Sequence, residues 1–254
     1  MRYPIKRIYL SPQSKRRSGK SIDKVRFLVA HDTGNEGSTA KANIMYYERT
    51  KDEQSASAHI FVDSVEIVEC IPAFEKPEKA WHVMSNATEL DNIKWGYDAN
   101  NTAIGVELCY GGQVNTHEAY RRYVWTLAYL CWIYKLDPKL DIVGHSELDP
   151  KRKTDPENAL RTIKKDMADL IDDVAFEYEI CTMGDDPAME ELLKRMDNLE
   201  RQVKTLQARN EIACPERAKE AVNAAVKKGL IQNADNGSTD FYRLITVLHR
   251  AKVI

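Results

Sequence analysis

Over the first 175 positions the apolar residues fall into short runs of differing period. Val25, Phe27, Leu28, Val29 and Ala30 are nearly continuous, which predicts a strand over 24–31 buried on both faces, in the middle of a sheet. Lys41–Glu53 predicts a helix with Ile44, Tyr47 and Tyr46 toward the inside. Ala58–Asp63 and Val65–Ile71 predict two strands, the second stopped by Pro72. From Ser85 to Thr102 the chain is polar and Asn-rich, a loop of about 18 residues, and structureless loops of that length more often bind something. Ile104–Tyr110 predicts a strand with Ile104, Val106 and Leu108 on one face and Gly105, Glu107 and Cys109 on the other. Thr116–Tyr134 carries a helical stripe of Tyr120, Val124, Leu127 and Cys131, and Ala159–Ala175 one of Leu160, Ile163, Met167, Leu170 and Ile171. Between those helices Ile142 and Val143 form a short strand that breaks at Gly144. Strands alternating with helices predict an α/β fold on a single mixed β-sheet flanked by helices.

Beyond this body the pattern changes. Periodicity lapses from Glu177 to Ala188 around Gly184 and Pro187, so the first domain is expected to cover 1–178, with a linker over 179–188. Met189, Leu192, Met196, Leu199, Val203, Leu206 and Asn210 then alternate at spacings of 3 and 4, which predicts a short coiled coil over 189–211. Leu at the d positions and Asn210 at an a position point to a parallel homodimer; a lone helix packed on its own domain would give the same spacing. Residues 212–254 read as a small α-helical module. Pro215 opens a helix with Ala218, Val222 and Val226 inward, Gly229 closes it, and Thr239 or Asp240 caps a second helix with Leu244, Ile245, Val247 and Leu248 inward.

Composition narrows the class. The 254 residues are 43% hydrophobic and 30% charged, as in a globular protein with a proper core. The net charge of −2 gives no nucleic-acid footprint. Residues 187–254 hold 12 Lys/Arg against 9 Asp/Glu, or +3, which leaves −5 on the rest; a mildly basic tail suits an anionic polymer. The N-terminus is basic without an apolar stretch, and no run of 18 apolar residues occurs, so neither a signal peptide nor a membrane span is expected and synthesis would be cytoplasmic. Five widely spaced cysteines without a CxxC read as reduced thiols.

The chemistry gathers in DIVGHSELDPKRKTDP, residues 141–156. His145 follows the strand break, Asp155 stands ten residues on in a Pro-containing loop, and Lys153 lies between them. A third candidate, His31, ends the strand VRFLVAHDTG. Two imidazoles and a carboxylate are a hydrolytic zinc donor set, because such a site keeps a fourth position open. Two strand-end histidines bonded to backbone, with Asp155 capping a helix, would give the same residues. Glu107 stands in an otherwise apolar strand, where a carboxylate is costly unless it is paired, near a metal or functional.

The segments VAHDTG, SAHIFVD, KAWHV, IGVEL and GHSELDPKRKTDP, in this order, resemble the zinc-dependent N-acetylmuramoyl-L-alanine amidases, a family that includes phage endolysins and is related to peptidoglycan recognition proteins. The likeness covers roughly residues 20 to 175. It implies one Zn2+ on His31, His145 and Asp155, with Glu107 as acid/base beside the attacking water and Lys153 stabilising the oxyanion. It implies that His82 lines the substrate groove, with Tyr46, His59 and Arg152 as further substrate contacts; for His59 a structural core role is an equal alternative. The implied reaction cuts the bond between N-acetylmuramic acid and L-alanine in bacterial peptidoglycan, as a phage or prophage endolysin does. A cytosolic muropeptide-recycling amidase and a non-catalytic peptidoglycan-binding protein are the alternatives. The C-terminal module resembles one unit of the S-layer-homology type of wall-binding repeat, which implies a secondary wall polymer as a further partner.

Overall fold

Strand β2 (Phe27–Asp32) is buried at every position because it lies inside the sheet, between β5 (Ala103–Leu108) and β6 (Ile142–Gly144) and parallel to both. The computed structural model describes residues 2–182, 212–232 and 237–254, with residues 195, 198–199, 201–203 and 205–206 between them. The sheet is completed by β1 (Ile5–Arg7), β3 (Ile60–Val62) and β4 (Ile67–Glu69), in the order β1-β4-β3-β5-β2-β6. Only β3 and β4 pair antiparallel, so the sheet is mixed, as the alternation of elements predicts. Edge strand β1 lies in a basic stretch that carries no strand pattern. Pairing with β4 makes it a strand, and its last residue, Arg7, reaches the buried Glu69 carboxylate at 3.1 Å.

Period-2 alternation divides the strands between two cores. Leu28 and Ala30 of β2, Ile104, Val106 and Leu108 of β5, and Ile142 of β6 enter the larger core. There they meet α1 (Ala40–Arg49) and α4 (Thr116–Tyr134), with α7 (Met167–Thr182) packed on α4. Phe27 and Val29, Ala103, and Val143 face a smaller core closed by Val83, Leu148, Leu90 and Trp95. On that second face His31 follows Val29, and Gly105 and Glu107 follow Ala103. The stretch expected as one loop over 85–102 holds two short helices, α2 (Leu90–Trp95) and α3 (Ala99–Thr102), which cover this smaller core.

The single helix expected over Ala159–Ala175 is two. α6 (Glu157–Thr162) ends, Lys164 takes φ +58°, and α7 restarts. Its start is a reciprocal cap: Asp166 accepts from the Asp169 N–H and Asp169 from the Asp166 N–H, both at 3.0 Å. The sequence DMAD held that signal. α7 then runs on to Thr182, past the expected domain end at 178, with Glu177 paired to Arg2 at 3.1 Å. The rest of the expected linker lies outside the described residues.

The chain divides into two compact units, Met1–Gly184 and Asp185–Ile254. Most of the coiled coil expected over 189–211 lies outside the described residues; those described there, among them Leu199, Val203 and Leu206, are helical and exposed. Farther on, α8 (Glu216–Lys227) and α9 (Thr239–Arg250) pack Ala218, Ala221, Val222 and Ala225 against Tyr242 and Ile245. Ser238 caps α9 through the Phe241 N–H at 3.0 Å, in place of the expected Thr239 or Asp240. Leu244 and Val247, expected inside, are exposed, because α9 turns Tyr242 and Ile245, with Phe241 beside them, toward the alanine face of α8. Among the described residues no helix is long and apolar enough to cross a membrane.

Candidate functional site

The site stands at the C-terminal ends of parallel strands β2, β5 and β6, the edge of an open α/β sheet where ligands characteristically bind. His31 is the penultimate residue of β2, and register pairs it with Glu107 on β5. His145 follows β6 directly and opens the short helix α5 (His145–Leu148), whose Glu147 carboxylate accepts the Gly144 N–H at 3.0 Å. The loop after α5 folds back, with the Ser146 N–H donating to the Asp155 carbonyl at 2.9 Å, and this brings Asp155 to the two histidines.

Nδ1 of His31 lies 2.9 Å and Nδ1 of His145 3.0 Å from the same oxygen, Oδ2 of Asp155. All three residues are buried. Burial holds His31 neutral, with its pKa lowered to about 4. For Asp155 burial acts upward, but the hydrogen bonds from His145 and His31 outweigh it and hold the carboxyl well below its usual range. Two imidazole nitrogens and a carboxylate oxygen within 4.8 Å of one another form a cluster that can hold a metal ion. A neutral His31 imidazole and an ionised Asp155 carboxylate are in the protonation states that ligation needs.

The surrounding pocket is polar. Glu107 and Lys153 both line it with the cluster. Burial pushes the Glu107 carboxyl well above its ordinary value, and the nearby Asp155 and Asp32 carboxylates push the same way. Among the described residues three buried side-chain atoms have no hydrogen-bond partner: Oε2 of Glu107, Nε2 of His145 and Nε2 of His82. All three belong to residues of this pocket. An unsatisfied buried polar atom costs about 1–3 kcal/mol, so the gathering of three here marks a site shaped for something other than stability.

The sequence model of the N-acetylmuramoyl-L-alanine amidase family matches residues 21–158, more than half of the chain. The chain belongs to this family. It is 30% identical over 152 residues to the N-acetylmuramoyl-L-alanine amidase BlyA of Bacillus subtilis (strain 168), a match covering 56% of this chain and 40% of that one. It is 33% identical over 139 residues to a probable N-acetylmuramoyl-L-alanine amidase of Bacillus licheniformis, covering 53% and 38%. The matched region therefore spans about two-fifths of the length of these curated relatives. Among solved structures, the catalytic domain of XlyA superposes with a TM-score of 0.54 at 20% identity, covering 67% of this chain and 99% of that domain. The Staphylococcus aureus hydrolase AmiA superposes at 0.55 and 24%, covering 71% and 86%. At those identities the structural likeness establishes the amidase fold.

On this amidase fold the other expected site residues are placed differently. His82 is buried, lines the pocket, and has Nδ1 3.1 Å from Nε2 of His31. His59 has no ring nitrogen left for a substrate: Nδ1 accepts the Gly105 N–H at 3.0 Å and Nε2 donates to the Glu78 carbonyl at 2.8 Å. It is buried away from the residues that line the pocket, in the core place that was its equal alternative. Tyr46 is 44% exposed and lies under the Arg16 and Arg49 guanidiniums, while its neighbour Tyr47 lines the pocket. The sequence held that preference, since Tyr47 is three residues from buried Ile44 and so shares its helix face. Arg152 lines the pocket while paired to Asp149.

Two contributors were not anticipated. Trp81 lines the pocket with Lys79 Nζ 4.3 Å above its ring. Asp32 binds the Gly34 N–H at 2.9 Å, the Ala159 N–H at 3.1 Å and the Asn158 amide at 3.3 Å, which ties the end of β2 to the turn after Asp155. No local pattern marks a contact between residues so far apart in the chain.

Proposed function

We propose that this chain is a peptidoglycan hydrolase of the endolysin kind, cutting the amide between the lactyl carbonyl of N-acetylmuramic acid and the amine of L-alanine. Membership of the amidase family supports the substrate class. The observation that carries the reading is the approach of two histidine Nδ1 atoms to one Asp155 oxygen, in the pocket that also holds Glu107 and Lys153.

His31, His145 and Asp155 would hold zinc, and zinc so held supplies Lewis acidity, making water nucleophilic near neutral pH and polarising a carbonyl. Glu107 takes the proton of the attacking water, and its environment is suited to that task, since a raised carboxyl pKa brings a general base nearer the operating pH. The same carboxyl then returns the proton to the departing L-alanine amine. Lys153, which lines the pocket with the cluster, offers its ammonium to the oxygen that gains charge as the carbonyl becomes tetrahedral. His82, Tyr47, Trp81 and Arg152 shape the walls against which the glycan and peptide arms lie.

Residues 212–254 act in this reading as a wall-binding module for a secondary polymer, doubled by a parallel coil over 189–211. The helix pair of α8 and α9 and the net positive charge of residues 187–254 support it.

Mass spectrometry of digested cell wall tests the activity: new free L-alanine amino termini are expected, and their absence would leave a non-catalytic wall binder. The purified protein should carry one zinc. His31→Ala, His145→Ala and Asp155→Ala should each lose it together with activity, and full activity after chelation would exclude the metal.

A further inference from the structure

His82 is held more firmly than a groove-lining residue needs. Its backbone N–H and that of Val83 both donate to Oδ1 of Asn100, at 2.9 and 3.0 Å, and the Asn100 amide donates back to the Val83 carbonyl at 2.7 Å. Asn100 in turn sits on α3, whose first turn is capped by Asp98 accepting the Asn100 N–H at 3.0 Å. Across from this clamp the sheet makes room for the ring. A Cβ on Gly105 would lie 2.7 Å from Nδ1 and 2.8 Å from Cγ of His82, and 3.2 Å from Nε2 of His31. Only a residue without a side chain lets the two rings meet over β5, edge to face, with centroids 5.3 Å apart. Clamp and gap together set Nδ1 of His82 at 3.1 Å from Nε2 of His31.

Proton inventory gives that contact a meaning. A neutral imidazole has one donor nitrogen and one acceptor nitrogen. With Nδ1 of His31 donating to Asp155, its Nε2 must accept, and His82 supplies the proton from Nδ1. With Nδ1 of His31 given to a metal, its proton must stand on Nε2, and Nδ1 of His82 must accept it.

We infer that His82 is the positioning residue for His31, accepting the His31 Nε2–H when His31 is a ligand and so fixing both the orientation of the ring and the tautomer that leaves Nδ1 free for the metal. The inference rests on the zinc reading of His31, His145 and Asp155. Ligating histidines commonly hand their second nitrogen to an acceptor, usually a carboxylate or carbonyl, and loss of that acceptor costs about 10–100-fold in affinity. Here a second histidine takes that place. The polar stretch from Ser85 to Thr102 thereby serves the site without lining its pocket, since its helix α3 delivers Asn100.

The test is zinc affinity of the full chain, by competition with a chromophoric chelator, for the wild type, His82→Phe and His82→Asn. Phenylalanine fills the space without an acceptor, whereas the Asn side-chain oxygen falls near the place of Nδ1. Zinc binding should weaken by about 10–100-fold in His82→Phe and stay within about threefold in His82→Asn. Folding of each variant is checked by circular dichroism. Independently of any variant, 15N NMR of the zinc-loaded wild type should show His82 protonated at Nε2 and bare at Nδ1, with the reverse in the chelated protein. Equal affinity in a folded His82→Phe, or a proton on Nδ1 of His82 in the loaded protein, would overturn the inference while leaving the zinc site intact. A wild type that takes up no zinc would overturn the metal reading and this inference with it.

Discussion

His31 and Glu107 are direct register partners on the parallel strands β2 and β5, and both fall on the alternate positions that face the smaller core. A candidate ligand and a candidate base are thus set side by side by strand pairing. The third and fourth residues, His145 and Asp155, arrive from one loop beyond β6. The proposed mechanism leans on this division, because the sheet fixes the distance between the candidate base and the candidate ligand while the loop closes the cluster.

Glu107→Gln should leave zinc at one equivalent and cut turnover by about 10² or more, the usual range for loss of general-base help. A base works only when ionised, and burial raises the Glu107 pKa above the ordinary carboxylate value. Activity of the wild type should therefore fall on the acid side at a pH above 4.5, and the residual activity of the variant should lack that limb. Metal analysis with a pH–rate profile checks both; loss of zinc from the variant would make Glu107 a ligand instead.

Lys153→Ala should also cost about 10² in turnover with zinc retained, through the oxyanion rather than the proton. Its signature is an acid limb that persists and moves to higher pH, because the Lys153 ammonium holds the Glu107 pKa down, whereas Glu107→Gln loses the limb; comparing the two pH–rate profiles separates the roles.

Asp32→Ala removes the acceptor of three hydrogen bonds and leaves the buried Ala159 N–H unpaired. The loss should be about 2–3 kcal/mol, read as a lower urea midpoint at constant slope. Zinc should bind more weakly as well, since the turn following Asp155 is no longer tied to β2.

His59 has its pKa lowered to about 4 by burial, from 6.5. The unfolded chain takes up this proton near 6.5 and the folded one only near 4, so stability is full above that window and falls as the pH drops through it. The slope is up to about 1.4 kcal/mol per pH unit for each such group. His59→Asn keeps an acceptor for the Gly105 N–H, and in chelated protein it should show a slope smaller by one proton between pH 6.5 and 4. Urea melts at three pH values across the window measure it; an unchanged slope would show that His59 is not buried neutral.

Truncation after Gly184 should give a monomer that cleaves soluble muropeptides as well as the full chain does but binds whole walls poorly. Two weak anchors on one stalk raise apparent affinity by effective concentration, by about 10²-fold. Ultracentrifugation and a wall pull-down check it. A monomeric full-length protein would remove the coil from the reading, and undiminished binding by the truncated form would remove the anchor.

The sequence by itself determined the central strand, the faces of β5 and the long helix α4, because each rests on local periodicity; of the candidate cluster it held His145 and Asp155 in one motif, while His31, on another strand, joins them only through the fold. A short apolar run rich in β-formers, such as Phe27–Ala30, fits a strand buried on both faces inside a sheet. Tertiary structure alone decided the rest. β1 exists because β4 offers it an edge, and the extended helical stretch after Pro156 breaks at Lys164 so that α7 can lie on α4. His59 and His82 look alike in sequence, a histidine beside apolar residues. They differ because one meets two backbone groups and the other meets His31, and which neighbour a buried ring finds depends on contacts between residues remote in the chain.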